Sequence, residues 1–140
     1  MPMLVKLTYA STAATAVTAE SVNAILKLAQ QRNALRDLTG MLVFDHQYFL
    51  QTIEGERQTV IDLFAKLMGN SRHSRVTLLS YAAVEQRLFA EWSMEFRSAA
   101  AVSKSLYLRY GCSSRFEPYG LSAAGADALM DAFRTGVPQT

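Results

Sequence analysis

The sequence has a single cysteine, Cys112, among 140 residues. An intramolecular disulfide is therefore excluded, as are the thiolate clusters that hold structural zinc. A reducing cytoplasm suits such a chain. It also has no charge block: 14 basic and 12 acidic side chains are scattered and leave a net charge of +2. That distribution gives no footprint for nucleic acid or for a membrane surface. No stretch approaches the roughly 20 apolar residues of a membrane span, and the apolar start of the chain is cut short at Lys6, so a soluble protein without a targeting segment is expected. Glycine is sparse, and none lies in residues 10–17 ahead of the first expected helix, so a phosphate-cradling glycine loop is missing there. Internal repeats and low-complexity tracts are absent too.

Half of the residues are hydrophobic, enough for one domain with a single core and too few for two full ones. The most structured stretch runs from Thr39 to Gly55. Two apolar and aromatic runs flank Asp45-His46-Gln47, and Gly40 and Gly55 bracket the pair, which reads as a β-hairpin. Alternation puts Phe49, Gln51 and Ile53 on one face, so a carboxamide sits between an aromatic and a β-branched neighbour. Leaving such an amide unpaired in a core costs about 1–3 kcal/mol. Two readings satisfy it: bonding to backbone or water at a sheet edge, or facing a ligand.

Ahead of the hairpin, residues 3–9 alternate Val5, Leu7 and Tyr9 against Leu4, Lys6 and Thr8, as a strand with one apolar face does. Small residues then form a loop to Thr18, an N-cap, with Glu20 in the first helical turn. The apolar stripe of that helix is Val22, Ile25, Leu26 and Ala29, and the same spacing continues to Arg32 and Asn33. These polar residues are either the solvated end of the helix or part of a binding site. A second helix follows Arg57, with Val60, Ile61, Leu63, Phe64, Leu67 and Met68 on its buried side and Gly69 as its stop. Arg72, His73 and Arg75 form a basic loop, solvated or anion-binding, before a fourth strand at residues 76–81. Residues 87–96 read as a fifth strand with Trp92, Met94 and Phe96 on one face. Ala99-Ala100-Ala101 marks a junction, and two further helices follow, one near residues 101–110 and one opening at Ser122 and stopping at Gly136. The expected fold is α+β: a ferredoxin-like βαββαββ sheet with two helices on one face, plus two C-terminal helices able to cover the other. Residues 1–97 form the sheet unit and 98–140 the helical extension.

Taken together, Tyr9-Ala10-Ser11, Arg32-Asn33, Thr39-Gly40-Met41-Leu42, Phe49-Leu50-Gln51, Ile53-Glu54-Gly55, Ser71-Arg72-His73 and Arg87-Leu88-Phe89-Ala90-Glu91-Trp92-Ser93-Met94 resemble a BLUF domain, the flavin-binding blue-light sensor. The likeness runs from about Leu4 to Phe96 in the family's order and spacing and does not cover the last third. The family often has an aspartate just before the Arg-His pair, where this chain has Ser71, and a glycine after the Trp-Ser-Met run, where it has Glu95.

The resemblance implies FAD as cofactor, lying between the first two helices. It implies cofactor contacts from Ser11, Ile25, Arg32, Asn33, Phe49 and Gln51, with Arg72 and His73 toward the ribityl and phosphate side. Tyr9 would hydrogen-bond Gln51, which would face flavin N5 and O4. Tyr9, Gln51, Trp92 and Met94 would be the photoactive group, with Tyr9 or Trp92 as electron donor. The resemblance further implies a sensor without substrate turnover that signals to a downstream protein, while the apolar Leu106, Tyr107, Leu108, Tyr110, Leu129, Met130 and Phe133 of the C-terminal helices lead to the expectation of a homodimer or a partner surface. The competing class is a small-anion-binding ferredoxin-like domain or an acylphosphatase-like hydrolase built on Arg32, Asn33 and the basic loop.

Overall fold

The computed structural model describes residues 3–14, 18–69, 73–102 and 104–136. The chain runs β1 (Leu4–Ala13), α1 (Ala19–Leu35), β2 (Thr39–Phe44), β3 (Tyr48–Glu56), α2 (Arg57–Met68), β4 (His73–Ala83) and β5 (Glu95–Ser98). A 3-10 turn (Ala99–Ala101), α3 (Lys104–Tyr110), a second 3-10 turn (Pro118–Gly120) and α4 (Ala123–Thr135) complete it. The strands form one sheet in the order β4-β1-β3-β2-β5, antiparallel except for β2 beside β5. The expected α+β, ferredoxin-like arrangement is what the chain adopts.

Strand alternation divides the sheet between two cores. On one face Val5, Leu7, Tyr9 and Ile53 are buried with Leu38 and Val60, and Leu63, Phe64 and Leu67 of α2 close over them. On the same face Leu42, Phe49 and Met94 meet Leu26 and Ala29 of α1. The opposite face presents Met41, Val43 and Leu50 to Leu106 and Tyr107 of α3 and to Leu129, Met130 and Phe133 of α4. Much of the apolar surface of the two C-terminal helices is thus used inside the chain, while Leu108 of α3 stays 59% exposed. Lys6, on the polar side of β1, is matched by α4: its Nζ lies 3.3 Å from Asp127 Oδ1, and Ser80 donates to Asp127 Oδ2 at 3.2 Å.

Local signals set the helix ends. Thr18 accepts from Ser21 N, and the Ser21 hydroxyl accepts from Thr18 N, a reciprocal cap on α1. Ser122 caps α4 through Gly125 N at 3.0 Å, and Gly136 ends that helix in the left-handed region at φ 61°.

Two expectations need correction. First, β1 does not end at Tyr9. Its small residues continue to Ala13, pairing with Leu50, Phe49 and Tyr48 on one side and with residues of β4 on the other. The fourth strand likewise starts at His73 and not at residue 76, so His73 and Arg75 belong to a strand and not to a loop, and its pairing with β1 slips beside Tyr9 and Ser11. Arg75 sits in the second irregularity at φ 54°, with its guanidinium 4.1 Å from the Tyr119 ring.

Second, residues 87–96 are not one strand: only Glu95–Ser98 pairs with β2. The buried Glu54 carboxylate accepts from Leu88 N at 2.6 Å and from Phe89 N at 2.9 Å. Trp92 N bonds back to the Phe89 carbonyl, and Gly40 N to the Trp92 carbonyl, each at 3.0 Å. Main-chain groups that a strand would give to a neighbour are therefore taken by a carboxylate and a turn. Gly40 suits this crowded place, because a Cβ there would run into the Thr52 carbonyl oxygen. Trp92 and Met94 consequently part company. Trp92 stacks on Phe89 against the α3/α4 core, whereas Met94 enters the α1 side.

Phe133 is 1% exposed at the centre of the second core, so Phe133→Ala should destabilise the protein by about 3–5 kcal/mol. Denaturant unfolding measures this as a lower midpoint at unchanged slope. A loss below about 1 kcal/mol would mean that α4 is not integral to the fold.

Candidate functional site

Between α1 and α2, over the face that carries Tyr9 and Gln51, lies a cavity of about 420 Å³. Its walls are apolar: Ile25, Leu26, Leu28 and Ala29 from α1, Leu63 and Leu67 from α2, and Leu42, Phe49 and Met94 from the sheet side. The polar lining consists of Tyr9, Gln51 and Asn33 together with the cations Arg32, Arg36 and Lys66. No carboxylate stands among its described lining residues. An apolar cavity with a few convergent polar groups is the usual form of a small-molecule site, and its three cations favour an anionic group on the ligand.

The antiparallel register sets Tyr9 directly opposite Gln51. Tyr9 is 1% and Gln51 9% exposed, and the phenol donates to Gln51 Oε1. Burial pushes the Tyr9 phenol well above the ordinary phenol range, so it remains a protonated donor. Because Oε1 is committed to Tyr9, the amide nitrogen points the other way, toward the Met94 sulfur at 3.5 Å. A thioether is a weak acceptor. One end of the carboxamide is thus firmly bonded while the other faces a soft partner at the cavity wall.

Asn33 and Arg32, adjacent on α1, diverge. Asn33 is buried, and its Nδ2 donates to the Ser93 carbonyl at 2.8 Å, which ties α1 to the segment before β5. Gln30 makes a parallel bond to the Met94 carbonyl at 2.9 Å. Arg32 is exposed and reaches the cavity from the rim. Ile25 and Phe49 line the cavity as well. Ser11 is fully buried in β1, two residues past Tyr9, and is not among the lining side chains. Trp92 is not among the lining side chains: half-buried, it packs against the core on the other side of the sheet, with Arg97 over its ring at 5.1 Å. Arg72 and the His73 side chain fall outside the described residues, and so does Ser71. Arg75 turns to Tyr119 instead of the cavity. Glu95, at the family's glycine position, opens β5 and pairs with Arg97 at 3.5 Å.

Sequence reasoning missed two of the three cations. Arg36 lies four residues after Arg32, and Lys66 falls between Leu63 and Leu67, so helical spacing alone would have placed both toward the same slot. The anchoring roles of Gln30 and Glu54 had no such local signal. Among the described residues no group of side chains could hold a metal ion, and no helix is long and apolar enough to cross a membrane.

Comparison with known proteins agrees with this geometry. The family described as BLUF, sensors of blue-light using FAD, matches residues 4–95. The photoactivated adenylate cyclase subunit beta of Euglena gracilis is 33% identical over 92 residues, which cover 65% of this chain and 11% of that protein. The chain thus spans about a tenth of the length of this relative. Among solved structures, BlsA in its photo-activated state superposes with a TM-score of 0.83 at 25% identity, covering 99% of each chain. The dark-state structure of the BLUF protein BlrB gives a TM-score of 0.67 at 31% identity, over 71% of this chain and 76% of that one. Since the family match takes in every described residue that lines the cavity, from Tyr9 to Met94, the chain belongs to the BLUF family of blue-light flavin sensors.

Proposed function

We propose that this chain holds FAD in the cavity between α1 and α2, reads blue light through the Tyr9–Gln51 pair, and signals to a separate partner protein without turning over a substrate. The observation that carries the reading is the asymmetric bonding of Gln51, with Oε1 fixed by a phenol and Nε2 left to a sulfur at the wall of an apolar slot. The residues present suit a flavin. Apolar walls accept a tricyclic ring, the Gln51 and Asn33 amides and the Arg32 guanidinium match its carbonyl edge, and Arg32, Arg36 and Lys66 at the lining suit a diphosphate. Arg72 and His73 are further candidates for the ribityl and phosphate side.

Bound flavin supplies blue absorption and an excited state able to accept an electron. The protein supplies orientation and a proton. Tyr9 is the donor in place, a neutral phenol already bonded to the amide that would carry its proton. Gln51 can release Oε1 from the phenol and return rotated or tautomerised, since the only force on Nε2 from Met94 is a weak hydrogen bond. Trp92 packs against the core on the other face and is not among the cavity's lining residues, so it is the less favoured donor. An anion-processing role for Arg32 and Asn33 finds less support, because residues 10–17 ahead of α1 contain no glycine to bring main-chain N–H groups onto an oxyanion. Residues 1–97 act as the sensing unit and 98–140 as the route outward, since β5 leads through Ser98 directly into the C-terminal helices.

Purified protein should be yellow, release FAD on denaturation and show a red-shifted flavin band after blue light. Tyr9→Phe should retain flavin and lose the shift, and a normal shift in that variant would exclude Tyr9 as the donor. Asn33→Ala removes an amide that both faces the cavity and holds Ser93, so flavin affinity should fall about tenfold. Equilibrium dialysis with FAD measures it, and unchanged affinity would remove Asn33 from the site.

The raised Tyr9 pKa also fixes a pH dependence. A phenol whose folded value lies above its unfolded value of 10 adds stability that is complete below pH 10 and is lost as pH climbs beyond it. Burial, with the Asp45 charge as a lesser cause, shifts Tyr107 the same way. In an alkaline titration followed by tyrosinate absorbance, these two phenols should ionise only as the protein unfolds. Ionisation of Tyr9 near pH 10 in the intact fold would contradict its assigned burial.

A further inference from the structure

Glu54 is completely buried, yet it lies on the face of β3 opposite Gln51 and touches nothing in the cavity. A carboxylate in such a place needs strong partners. It has them in main chain: Oε2 accepts from Leu88 N, and Oε1 from Phe89 N and from the Thr39 hydroxyl at 3.0 Å. Arg87 closes the group from outside, with Nη1 donating to the Glu54 carbonyl at 3.2 Å and to Thr39 Oγ1 at 3.0 Å.

What Glu54 holds is the start of the segment that ends at Met94. From Phe89 the bonds are continuous: Trp92 N to the Phe89 carbonyl, Gly40 N to the Trp92 carbonyl, Asn33 to the Ser93 carbonyl and Gln30 to the Met94 carbonyl. At its far end the Met94 sulfur receives the Gln51 amide. The stretch crosses from one side of the sheet to the other, held by the carboxylate at one end and by α1 at the other.

We propose that Glu54 is a positioning residue for the light response: by gripping the Leu88 and Phe89 amides it sets the place of Met94 against Gln51, and through it the lifetime of the light-adapted amide. This rests on the sensor reading above. Two oxygens serve two main-chain donors, so Glu54→Gln keeps the shape but turns an amide N–H₂ toward one of them. The segment then loses one anchor while the Tyr9–Gln51 pair, on the other face, keeps its contacts.

The test uses the full chain loaded with FAD and compares Glu54→Gln in the wild-type and Met94→Ala backgrounds. The expected result is a retained red shift and a dark-recovery rate changed about tenfold in the wild-type background but less than twofold when Met94 is absent. Equal changes in both backgrounds, or no change in either, would overturn the proposal, because a merely structural role does not depend on Met94. Should Glu54→Gln fail to fold, Thr39→Val removes the hydroxyl bond to the same carboxylate and is read in the same two backgrounds. A second readout needs no light: the Met94 methyl resonance in the protein without flavin should move in Glu54→Gln, and a resonance that stays in place would overturn the proposal independently. A wild type that binds no flavin or shows no red shift would instead refute the sensor reading, leaving the methyl measurement to decide the role of Glu54.

Discussion

The hydrogen bond from the Tyr9 phenol to Gln51 Oε1 sets the orientation of the one carboxamide on which the site depends. It requires β1 and β3 to be in the register that places the two residues opposite one another. A one-residue slip of either strand would turn its own side chain to the opposite face and part the pair. It also requires Tyr9 to stay protonated, which burial ensures. The amide end left over is directed at the cavity by elimination, because the same side chain cannot offer its nitrogen to the phenol and to the slot. On the other edge of β1, the pairing with β4 is irregular beside Tyr9 and Ser11.

The two faces of the sheet are chemically separate but mechanically joined. The cavity face packs against α1 and α2, whereas the other face is a continuous core with α3 and α4. Residues 88–94 are the covalent passage between them, with Trp92 in one core and Met94 in the other. A change at Gln51 that altered its bond to Met94 would act on a segment whose other end lies against the C-terminal helices. Its magnitude would be bounded by the bond itself, about 1–2 kcal/mol, so an outward signal carried this way would be a population shift and not an all-or-none transition. Tyr119 adds a second connection, sharing a 2.7 Å hydrogen bond with Thr12 at the end of β1 and lying edge-on to Tyr48.

Much of this was written locally in the chain. The hairpin follows from glycine brackets and period-two alternation, whereas the contact of Tyr9 with Gln51 was implied by the family resemblance alone. Thr18, Ser122 and Gly136 announce helix ends by their own chemistry. What could not be read was long-range or degenerate. Residues 87–96 alternate as a strand would, and only Glu54, 34 and 35 residues away from its main-chain partners, turns them into a fixed loop. The stripe on α1 pointed to Arg32 and Asn33 together, but neighbours on a helix lie about a quarter-turn apart, and packing against Ser93 decided that Asn33 turns inward. The small residues after Tyr9 carry no bulk to mark them as strand, so the extension of β1 depends on partners supplied by β3 and β4.

The central claim is that light changes the bonding of one glutamine side chain. A light-minus-dark infrared difference spectrum of the FAD-loaded protein, with glutamine side chains isotopically labelled, reads that change directly. The account predicts difference bands that move on labelling and are missing in Gln51→Leu. Spectra in which the flavin bands respond to light while labelled and unlabelled glutamine give superimposable traces would contradict it.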